Sequence, residues 1–534
     1  MKTIFYNGTI ITMEEELYTE AVLVIDDLIA NIGSVDELIK VAPDASLKDL
    51  EGTTMLPAFI DAHSHFSSYA NSILQVKLEN SKNFEEISIR ITKFIKEANN
   101  GKGLKKGEWI VANGYDHNIL IEKIQPTLAL LDKIAPNNPL ILQHKSGHCG
   151  VLNTVALNEL KYDINSIPPK GGIIGIKDNK LTGYMEEEAY IQSIKQVPMA
   201  NIETMLDAYS LAQDKYLSYG ITTIQEGMMV EQMLPLYKYL IDSGILKIDL
   251  VGYSEFESMP AFIKGLPNSV NRYDKHFKLG GYKIILDGSP QVKTAWMLTP
   301  YLNSNDYGYG TTTNEQLYKM LKTAATNNIQ TLVHCNGDAA IQQYITILNK
   351  IKDEGISVDK LRNVIIHAQL LNLKQLDDVA DLKLIPSFFI AHILHWGDIH
   401  IKNFGIERAQ YISPVNSAIK HDIIYTFHQD APVIEPNMLE TLQCAVTRTT
   451  ANGVILAPSE AITILQALKG ITINAAYQYN EETTKGTIKP GKYADLVILS
   501  DNPLTINCNE LTNIKVLETI KAGKTIYLTS CAKL

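Results

Sequence analysis

The stretch Pro57-Ala58-Phe59-Ile60-Asp61-Ala62-His63-Ser64-His65 joins an apolar run to two histidines. Its aromatic and β-branched residues, with the apolar segment from Thr53 before them, predict a buried strand. Because side chains two positions apart in an extended chain point to the same side, His63 and His65 would lie together at the carboxyl end of that strand. Two imidazoles so placed suit a metal ion. A solvated loop with two histidines is the alternative, and only ligands elsewhere in the chain can decide between them.

Seven more short apolar runs follow along the chain, and helix-like segments such as 315–326 and 339–354 lie between most of them. The further predicted strands are Gly220–Glu226, Leu246–Tyr253, Gly281–Asp287, Ile329–His334, Asn363–His367, Leu384–Phe389 and Ile423–Asp430. Strand–helix alternation repeated eight times predicts an α/β protein with a (β/α)8 TIM barrel. An open, doubly wound sheet is the second possibility, but the Gly-rich phosphate turn usual in that fold is absent from the sequence.

The chain length of 534 residues predicts more than one domain. Both ends are rich in short strands, and we expect residues 1–52 and 483–534 to form one small composite β-sandwich. Residues 53–103 and 196–482 would then make up the metal-binding barrel. Residues 104–195 fall between the first and second predicted strands, in an interval far longer than an ordinary βα connection. This interval predicts an inserted α/β subdomain over the active site.

The composition is that of a soluble globular protein, with 45% hydrophobic residues, 20% charged residues and a net charge of −11. The negative charge argues against nucleic acid and acidic membrane surfaces as partners. The sequence has neither an apolar run long enough to span a membrane nor the apolar core of a signal peptide. Five scattered cysteines without metal-binding spacing suit a reducing compartment. We therefore expect a cytoplasmic protein with a small-molecule substrate, and a homodimer as the commonest oligomeric arrangement.

Metal-ligand residue types recur where the predicted strands end, which in a TIM barrel is where the chemistry lies. The first, fifth, sixth and eighth strands supply four histidines and one aspartate: His63, His65, His334, His367 and Asp430. Imidazoles with a carboxylate suit a divalent ion of the zinc kind. Asp430 could also accept the proton of a metal-activated water. The alternative for Asp430 is a helix N-cap, since Pro432 would fit the first helical turn.

The sequence resembles the amidohydrolase superfamily, in the amidohydrolase-3 branch that includes proteins similar to N-substituted formamide deformylase. The resemblance spans essentially the whole chain and rests on six segments: Leu56–His65, Tyr282–Ser289, Val333–Asp338, Ile366–Gln369, Gln429–Pro432 and Gly486–Val497. The family often has other residues at the positions of Ala58, Ile366 and Gln429, but no ligand position is lost.

The resemblance implies metal-dependent hydrolysis with one or two divalent ions per chain, Zn²⁺ first among them. The implied ligands are the five residues named above together with Lys283, which matches the lysine of a Lys-x-x-x-Asp-Gly motif. Lys283 would bridge two ions as a carboxylated lysine, and CO2 adds only to a neutral amine. The alternative is an ordinary lysine paired with Asp287 or another carboxylate.

Further candidates flank these positions. His148 matches a Gly-His…Asn pattern of the family's inserted subdomain and would hydrogen-bond the substrate's carbonyl oxygen as a catalytic residue. His392 and His395 follow the seventh predicted strand and would bind substrate, as would Tyr115 and Asp116 in the insertion. The alternative for each is a polar loop residue that holds local turns.

The function we expect is hydrolysis of a non-peptide C–N bond, in an amide, N-acyl or N-formyl group of a small organic molecule. Metal-activated water would attack, with Asp430 as the proton shuttle. A deaminase or a cyclic amidase of the same superfamily is the first alternative. A further alternative is an inactive relative that acts in binding or regulation, although such relatives typically lack ligands that this chain retains.

Overall fold

A computed structural model of the chain describes residues 1–145, 149–170, 172–198 and 202–529, apart from the side chains of residues 99 and 100. The chain forms two compact units, one made of residues 1–67 and 212–534 and the other of residues 68–211. No helix among the described residues is both long enough and apolar enough to cross a membrane.

The first unit is built around a curled sheet of eight parallel strands, hydrogen-bonded in chain order. These barrel strands are Phe59–Ile60, Ile221–Met229, Asp249–Ser254, Phe277–Ile285, Gln330–Cys335, Val364–His367, Ile385–Phe388 and Thr426–Phe427. Beyond the ends of the first and eighth strands, His65 N donates to Ala431 O at 2.9 Å and Asp430 N to His63 O at 3.3 Å. The arrangement is a TIM-barrel-like α/β fold with the eight strands in the predicted order.

Apolar side chains fill the inside of this sheet. Residues from five of its strands lie in one buried cluster, among them Ile60, Val251, Leu332, Val364 and Ile385. Strands buried on both faces read as continuous apolar runs, which is why they stood out in the sequence.

The helices of the chain follow the predicted alternation. One of them, Asn314–Thr326, begins at the capping box formed by Thr313 and Gln316 and turns Leu317 and Leu321 toward the protein interior. In chain order the helices are Val35–Val41, Phe66–Ile73, Phe84–Gly101, Leu128–Ile134, Thr154–Glu159, Glu188–Lys195, Ile202–Ser218, Leu234–Ser243, Met259–Gly265, Asn314–Thr326, Asp338–Asp353, Leu376–Asp381, His392–Phe404, Ile406–Ala409, Val415–Lys420, Met438–Thr447, Ile464–Gly470 and Ile473–Gln478.

The two ends of the chain share a pair of sheets. One has the strand order Leu28–Gly33, Ala21–Ile25, Lys2–Tyr6, Ser46–Asp49, and the other Lys524–Leu528, Val516–Lys521, Leu496–Leu499, Thr54–Pro57, Thr9–Ile11, Tyr18–Thr19. Phe5 and Val22 from the first sheet lie in the same apolar cluster as Met55, Leu496 and Ile520 from the second. We propose that these sheets are the composite β-sandwich expected from the sequence, whose boundaries at 52 and 483 remain a prediction.

The apolar stretch that leads to His63 and His65 is divided between two sheets. Thr54–Pro57 pairs with Leu496–Leu499 in the terminal sheet, and only Phe59–Ile60 belongs to the barrel. Both parts are fully buried, so both appear in the sequence as one continuous apolar run. The run does not indicate where the chain passes from one sheet to the other.

The second unit contains a mixed six-stranded sheet. Its strand order is Gly172–Lys177, Lys180–Glu187, Cys149–Leu152, Leu140–His144, Ile110–Tyr115, Val76–Lys77. Ile87 and Ile91 of the helix Phe84–Gly101 share an apolar cluster with Ile110 and Leu140, so this helix packs with the second unit.

Candidate metal centre

The carboxyl ends of the first and eighth barrel strands bring two histidines to one aspartate. Nε2 of His63 and Nε2 of His65 each lie 3.3 Å from Oδ1 of Asp430. Asp430 has a left-handed backbone with φ of +54°, and it is not a helix N-cap, since the next helix begins at Met438 behind its own cap, Asn437. Oδ1 of Asp430 is buried and has no hydrogen-bond partner among the described residues. A buried carboxylate oxygen of this kind, facing two imidazole nitrogens, is suited to a cation.

The fifth and sixth strands complete the cluster. Nε2 of His367 lies 4.0 Å from Oδ2 of Asp430, and ligand atoms of His63, His367 and Asp430 all lie within 4.8 Å of one another. The ring of His334 packs edge-on against that of His367, with centroids 4.6 Å apart. The structure thus brings together all five strand-end residues named from the sequence.

The orientation of His63 is set by Gln225 on the second strand. Nε2 of Gln225 donates to Ala62 O at 2.8 Å and to the Tyr479 hydroxyl at 3.1 Å, which turns its Oε1 toward Nδ1 of His63. Nδ1 of His63 is therefore the protonated nitrogen, and Nε2 keeps its lone pair facing Asp430.

His334 is held in the same way by a carboxylate. Its Nδ1 lies 3.2 Å from Oδ1 of Asp287, whose oxygens also accept from the backbone of Asn336 at 3.0 Å and Gly337 at 2.7 Å. Asp287 is engaged by these contacts, and Nε2 of His334, which lies 3.4 Å from Nδ2 of Asn336, is the candidate ligand atom.

His367 is oriented by His428, a residue to which sequence reasoning gave no role. Nδ1 of His367 lies 3.1 Å from Nε2 of His428, whose Nδ1 lies 2.9 Å from the Ser387 hydroxyl. His428 precedes Asp430 by two positions, the same spacing as His63 and His65, and that repeated spacing was the available signal.

Lys283 lies inside the cluster. Its Nζ is 2.9 Å from Nε2 of His63, and the side chain is almost wholly buried. Burial lowers the pKa of Lys283 to about 7, against an opposing attraction from Asp430. The neutral amine, the form that reacts with CO2, is therefore well populated near neutral pH. Carboxylation of Lys283 stays a prediction.

The protonation states suit metal ligands, which must be deprotonated. Burial holds the pKa of His63 and of His367 well below the usual histidine range, so both imidazoles are neutral. Burial raises the pKa of Asp430, but the nearby nitrogens of His65, His428 and Lys283 favour its ionised form, outweigh burial and leave that pKa lowered. Asp61, behind His63, is different: burial raises its pKa to about 8.

Gly227 makes room for the first two ligands. A Cβ atom at this position would lie 2.7 Å from Cε1 of His63 and 2.9 Å from Cε1 of His65. Both rings can occupy their positions only because the second strand carries no side chain there. With the unpartnered Asp430 oxygen and the neutral imidazoles, this space makes the residues fit a divalent metal ion.

The candidates after the seventh strand lie on the helix His392–Phe404. Nδ1 of His392 is 3.1 Å from Nε2 of His400, and its ring packs on Phe389, which in turn lies 5.4 Å from the ring of His428. Nε2 of His395 is 2.9 Å from Oε1 of Glu440. His392 is thus one ring removed from the ligand cluster, and substrate binding by either histidine stays a prediction.

The remaining candidates belong to the second unit. Tyr115 is buried, and its hydroxyl donates to Oε1 of Gln125 at 2.7 Å. Oδ1 of Asp116 lies 3.5 Å from Nε2 of His144. His148 lies outside the described residues, and the roles of all three in substrate binding and catalysis stay predictions.

Known proteins similar to this chain cover it from end to end. YtcJ of Bacillus subtilis (strain 168) is 26% identical over 99% of both chains, and N-substituted formamide deformylase of Arthrobacter pascens is 26% identical over 95% of both. The crystal structure of an uncharacterized metal-dependent hydrolase from Pyrococcus furiosus shares the fold, with a TM-score of 0.78 and 22% identity over 95% of this chain and 100% of that one. The model of the amidohydrolase family matches residues 47–527, about nine-tenths of the chain. The chain therefore belongs to the amidohydrolase family.

Proposed function

We propose that the protein is a metal-dependent hydrolase that cleaves a non-peptide C–N bond, in an amide, N-acyl or N-formyl group of a small organic molecule. The observation that carries the proposal is the buried, unpartnered Oδ1 of Asp430, which faces Nε2 of His63 and of His65. Membership of the amidohydrolase family supports hydrolysis, and the full-length similarity to a protein named N-substituted formamide deformylase supports the C–N bond.

The residues that would hold the metal are His63, His65, His334, His367 and Asp430, with Lys283 as the bridging candidate. When bound, a divalent ion lowers the pKa of a coordinated water and polarises a carbonyl oxygen. Asp430 stays ionised because its carboxyl pKa is lowered, so it can take a proton from the attacking water. The same carboxyl group can then return the proton to the leaving amine, which converts the nitrogen into a neutral leaving group.

A buried aromatic ring beside the cluster supports this role. Phe389 packs beside His367 and His428, with ring centroids 6.2 and 5.4 Å away, and would limit the access of water on that side. Water exclusion strengthens the interaction of the Asp430 carboxylate with developing positive charge on a leaving nitrogen.

The test is a panel of N-formyl, N-acyl and cyclic amides, assayed with protein purified without chelator and analysed for metal. We expect about one or two zinc-class ions per chain and turnover of at least one open-chain amide. Release of ammonia from an amine-bearing heterocycle would assign a deaminase instead. A folded, active protein without metal would overturn the proposal.

The variant Asp430→Asn tests the proton shuttle on whichever substrate is found. Its turnover should fall by about 10²–10⁴-fold, the usual contribution of a general base. Asp422→Asn is the matched control, because Asp422 has the same left-handed backbone, with φ of +55°, and is exposed outside the cluster. Near-normal turnover by Asp430→Asn would remove Asp430 from this role.

A further inference from the structure

Three potential metal ligands of the second unit converge outside the barrel strands. They are Asp116, His117 and His144, and one ligand atom from each lies within 4.8 Å of the other two. We propose that these three side chains bind a divalent cation of the zinc class, in addition to the metal of the barrel strands. The proposal concerns residues of the second unit alone and does not depend on the proposed hydrolase activity.

The sheet of the second unit brings these residues together. The strands Ile110–Tyr115 and Leu140–His144 are parallel neighbours, with Tyr115 paired to His144 at their carboxyl ends. A register shift between Asn113 and Tyr115, where Gly114 has φ of +91°, redirects the chain just before Asp116. The carboxyl ends of two parallel neighbouring strands lie at the same edge of the sheet. His144, at the end of the second strand, therefore lies beside Asp116 and His117, which directly follow the first.

Two of the three donor–donor distances are close to those around a tetrahedral ion. Nδ1 of His117 lies 3.1 Å from Nε2 of His144, and that nitrogen lies 3.5 Å from Oδ1 of Asp116. Zinc bonds of about 2.0–2.1 Å at a tetrahedral angle separate two donor atoms by about 3.3–3.4 Å. These two distances are within a few tenths of an ångström of that spacing, and the third pair of ligand atoms lies within 4.8 Å.

Hydrogen bonds around the cluster leave acceptors facing its centre. The Tyr115 hydroxyl donates to Oε1 of Gln125, so the amide nitrogen of Gln125, 3.4 Å from Nδ1 of His117, is turned toward that atom. Nδ1 of His117 is therefore an acceptor, and so is the carboxylate of Asp116. Both lie within 3.5 Å of Nε2 of His144, and a divalent cation among these atoms could bind all three groups.

The surroundings hold Asp116 and His144 in place. Oδ1 of Asp116 accepts from Asn118 N at 2.9 Å and from Asn118 Nδ2 at 3.1 Å. The Tyr115 ring packs edge-on against His144, with centroids 5.3 Å apart. The Asp116 side chain is 20% exposed and that of His144 is 11% exposed, so water can complete the coordination of an ion bound by two nitrogens and one oxygen.

Metal content tests the proposal without any substrate. The full chain is stripped with a chelator, reloaded with Zn²⁺, freed of unbound ion and analysed for zinc per chain. We expect His117→Asn and His144→Gln each to retain one zinc equivalent less than the wild type, with unchanged circular dichroism. His421→Asn, which removes an exposed histidine that pairs with Asp377, should match the wild type.

A second experiment leaves the proposed site intact and removes the barrel ligands instead. A chain with His63→Asn and His367→Asn should still bind one equivalent of Co²⁺, with the visible absorption bands of a four-coordinate nitrogen–oxygen site. Addition of His144→Gln to that chain should abolish the bands. The proposal is overturned if the chain without barrel ligands binds no Co²⁺, or if His117→Asn and His144→Gln leave the zinc content of folded protein unchanged. Failure of the substrate panel would leave both results unaffected.

Discussion

Replacing Gln225 by methionine should weaken metal binding, although Gln225 is not itself a ligand. Gln225 is fully buried, and its Oε1 accepts the Nδ1 proton of His63. Methionine has nearly the same length and no acceptor of comparable strength, so Gln225→Met would leave that proton without a partner in a buried site. His63 could then rotate, or carry its proton on Nε2. In either case the lone pair of Nε2 no longer points toward Asp430.

The contacts of Gln225 set the size of the effect. Ala62 O keeps a second donor, Gln478 Nε2 at 2.8 Å, and the Tyr479 hydroxyl keeps its bond to Asp61 O at 2.8 Å. The lost contact that has no replacement is that of His63 Nδ1, which should cost the metal-free protein about 1–3 kcal/mol of unfolding free energy. Metal affinity should fall by about 10–100-fold, the usual result when the partner that orients a histidine ligand is removed.

Competition with a chromophoric zinc chelator gives the affinity, and urea unfolding of the metal-free protein gives the stability. Gln478→Met is the matched control, since Gln478 is equally buried and also binds Ala62 O, but its Oε1 accepts from the Thr426 hydroxyl rather than from a histidine ligand. This control should lose stability in the same range and keep the wild-type zinc affinity within about two-fold. Wild-type zinc affinity in folded Gln225→Met would refute the orientation argument.

Three further predictions concern protonation, packing and buried charge. Raising the pH from 7 to 9 should stabilise the metal-free wild type by about 2 kcal/mol of unfolding free energy relative to Lys283→Met, because the unfolded chain, with an ordinary lysine pKa, binds more protons at this position than the folded one. Urea titrations of both chains give the difference, from which the opposing contribution of Asp61 cancels. Gly227→Ala should lower the free energy of unfolding by about 1–3 kcal/mol and reduce the zinc content, since the alanine Cβ would displace the rings of His63 and His65. A wild-type zinc content would contradict this prediction. Lys485→Met should lower the free energy of unfolding by about 3 kcal/mol, because Lys485 is buried between Asp249 and Glu481. Urea unfolding measures this loss, and a value below about 1 kcal/mol would contradict the prediction.

The convergence of the five strand-end residues was predictable because two local signals coincide. Each buried barrel strand appears as an apolar run, and the runs that supply ligands end in a histidine or an aspartate. Parallel strands place their carboxyl ends at one face, so residues as distant in sequence as His65 and Asp430 could be assigned to one cluster from the order of the strands alone.

The partners that orient the ligands had no such signal. Gln225 lies 162 residues from His63, and Asp287 lies 47 residues from His334. Nothing in the local pattern of either strand distinguishes a glutamine or an aspartate that faces a ligand from one that faces a neighbouring loop. His428 is the exception, because its spacing from Asp430 repeats that of the first two histidines.

The cluster of Asp116, His117 and His144 likewise depends on contacts that the sequence does not indicate. Tyr115 and Asp116 were singled out from the sequence as substrate contacts, but their proximity to His144 follows from the pairing of two parallel strands and from the bulge at Gly114. Strand pairing over this distance depends on which apolar faces pack together, and the sequence of either strand alone does not specify its neighbour.

The sequence by itself determined the eight-strand alternation and the five residues at the strand ends, because burial and backbone geometry leave periodic patterns along the chain. The tertiary structure decided how the opening run is divided between two sheets, which nitrogen of His63 faces Asp430, and which residues of the second unit form a cluster. These features depend on contacts between residues far apart in the chain. Such contacts form only when the strands have packed, so no local sequence pattern encodes them.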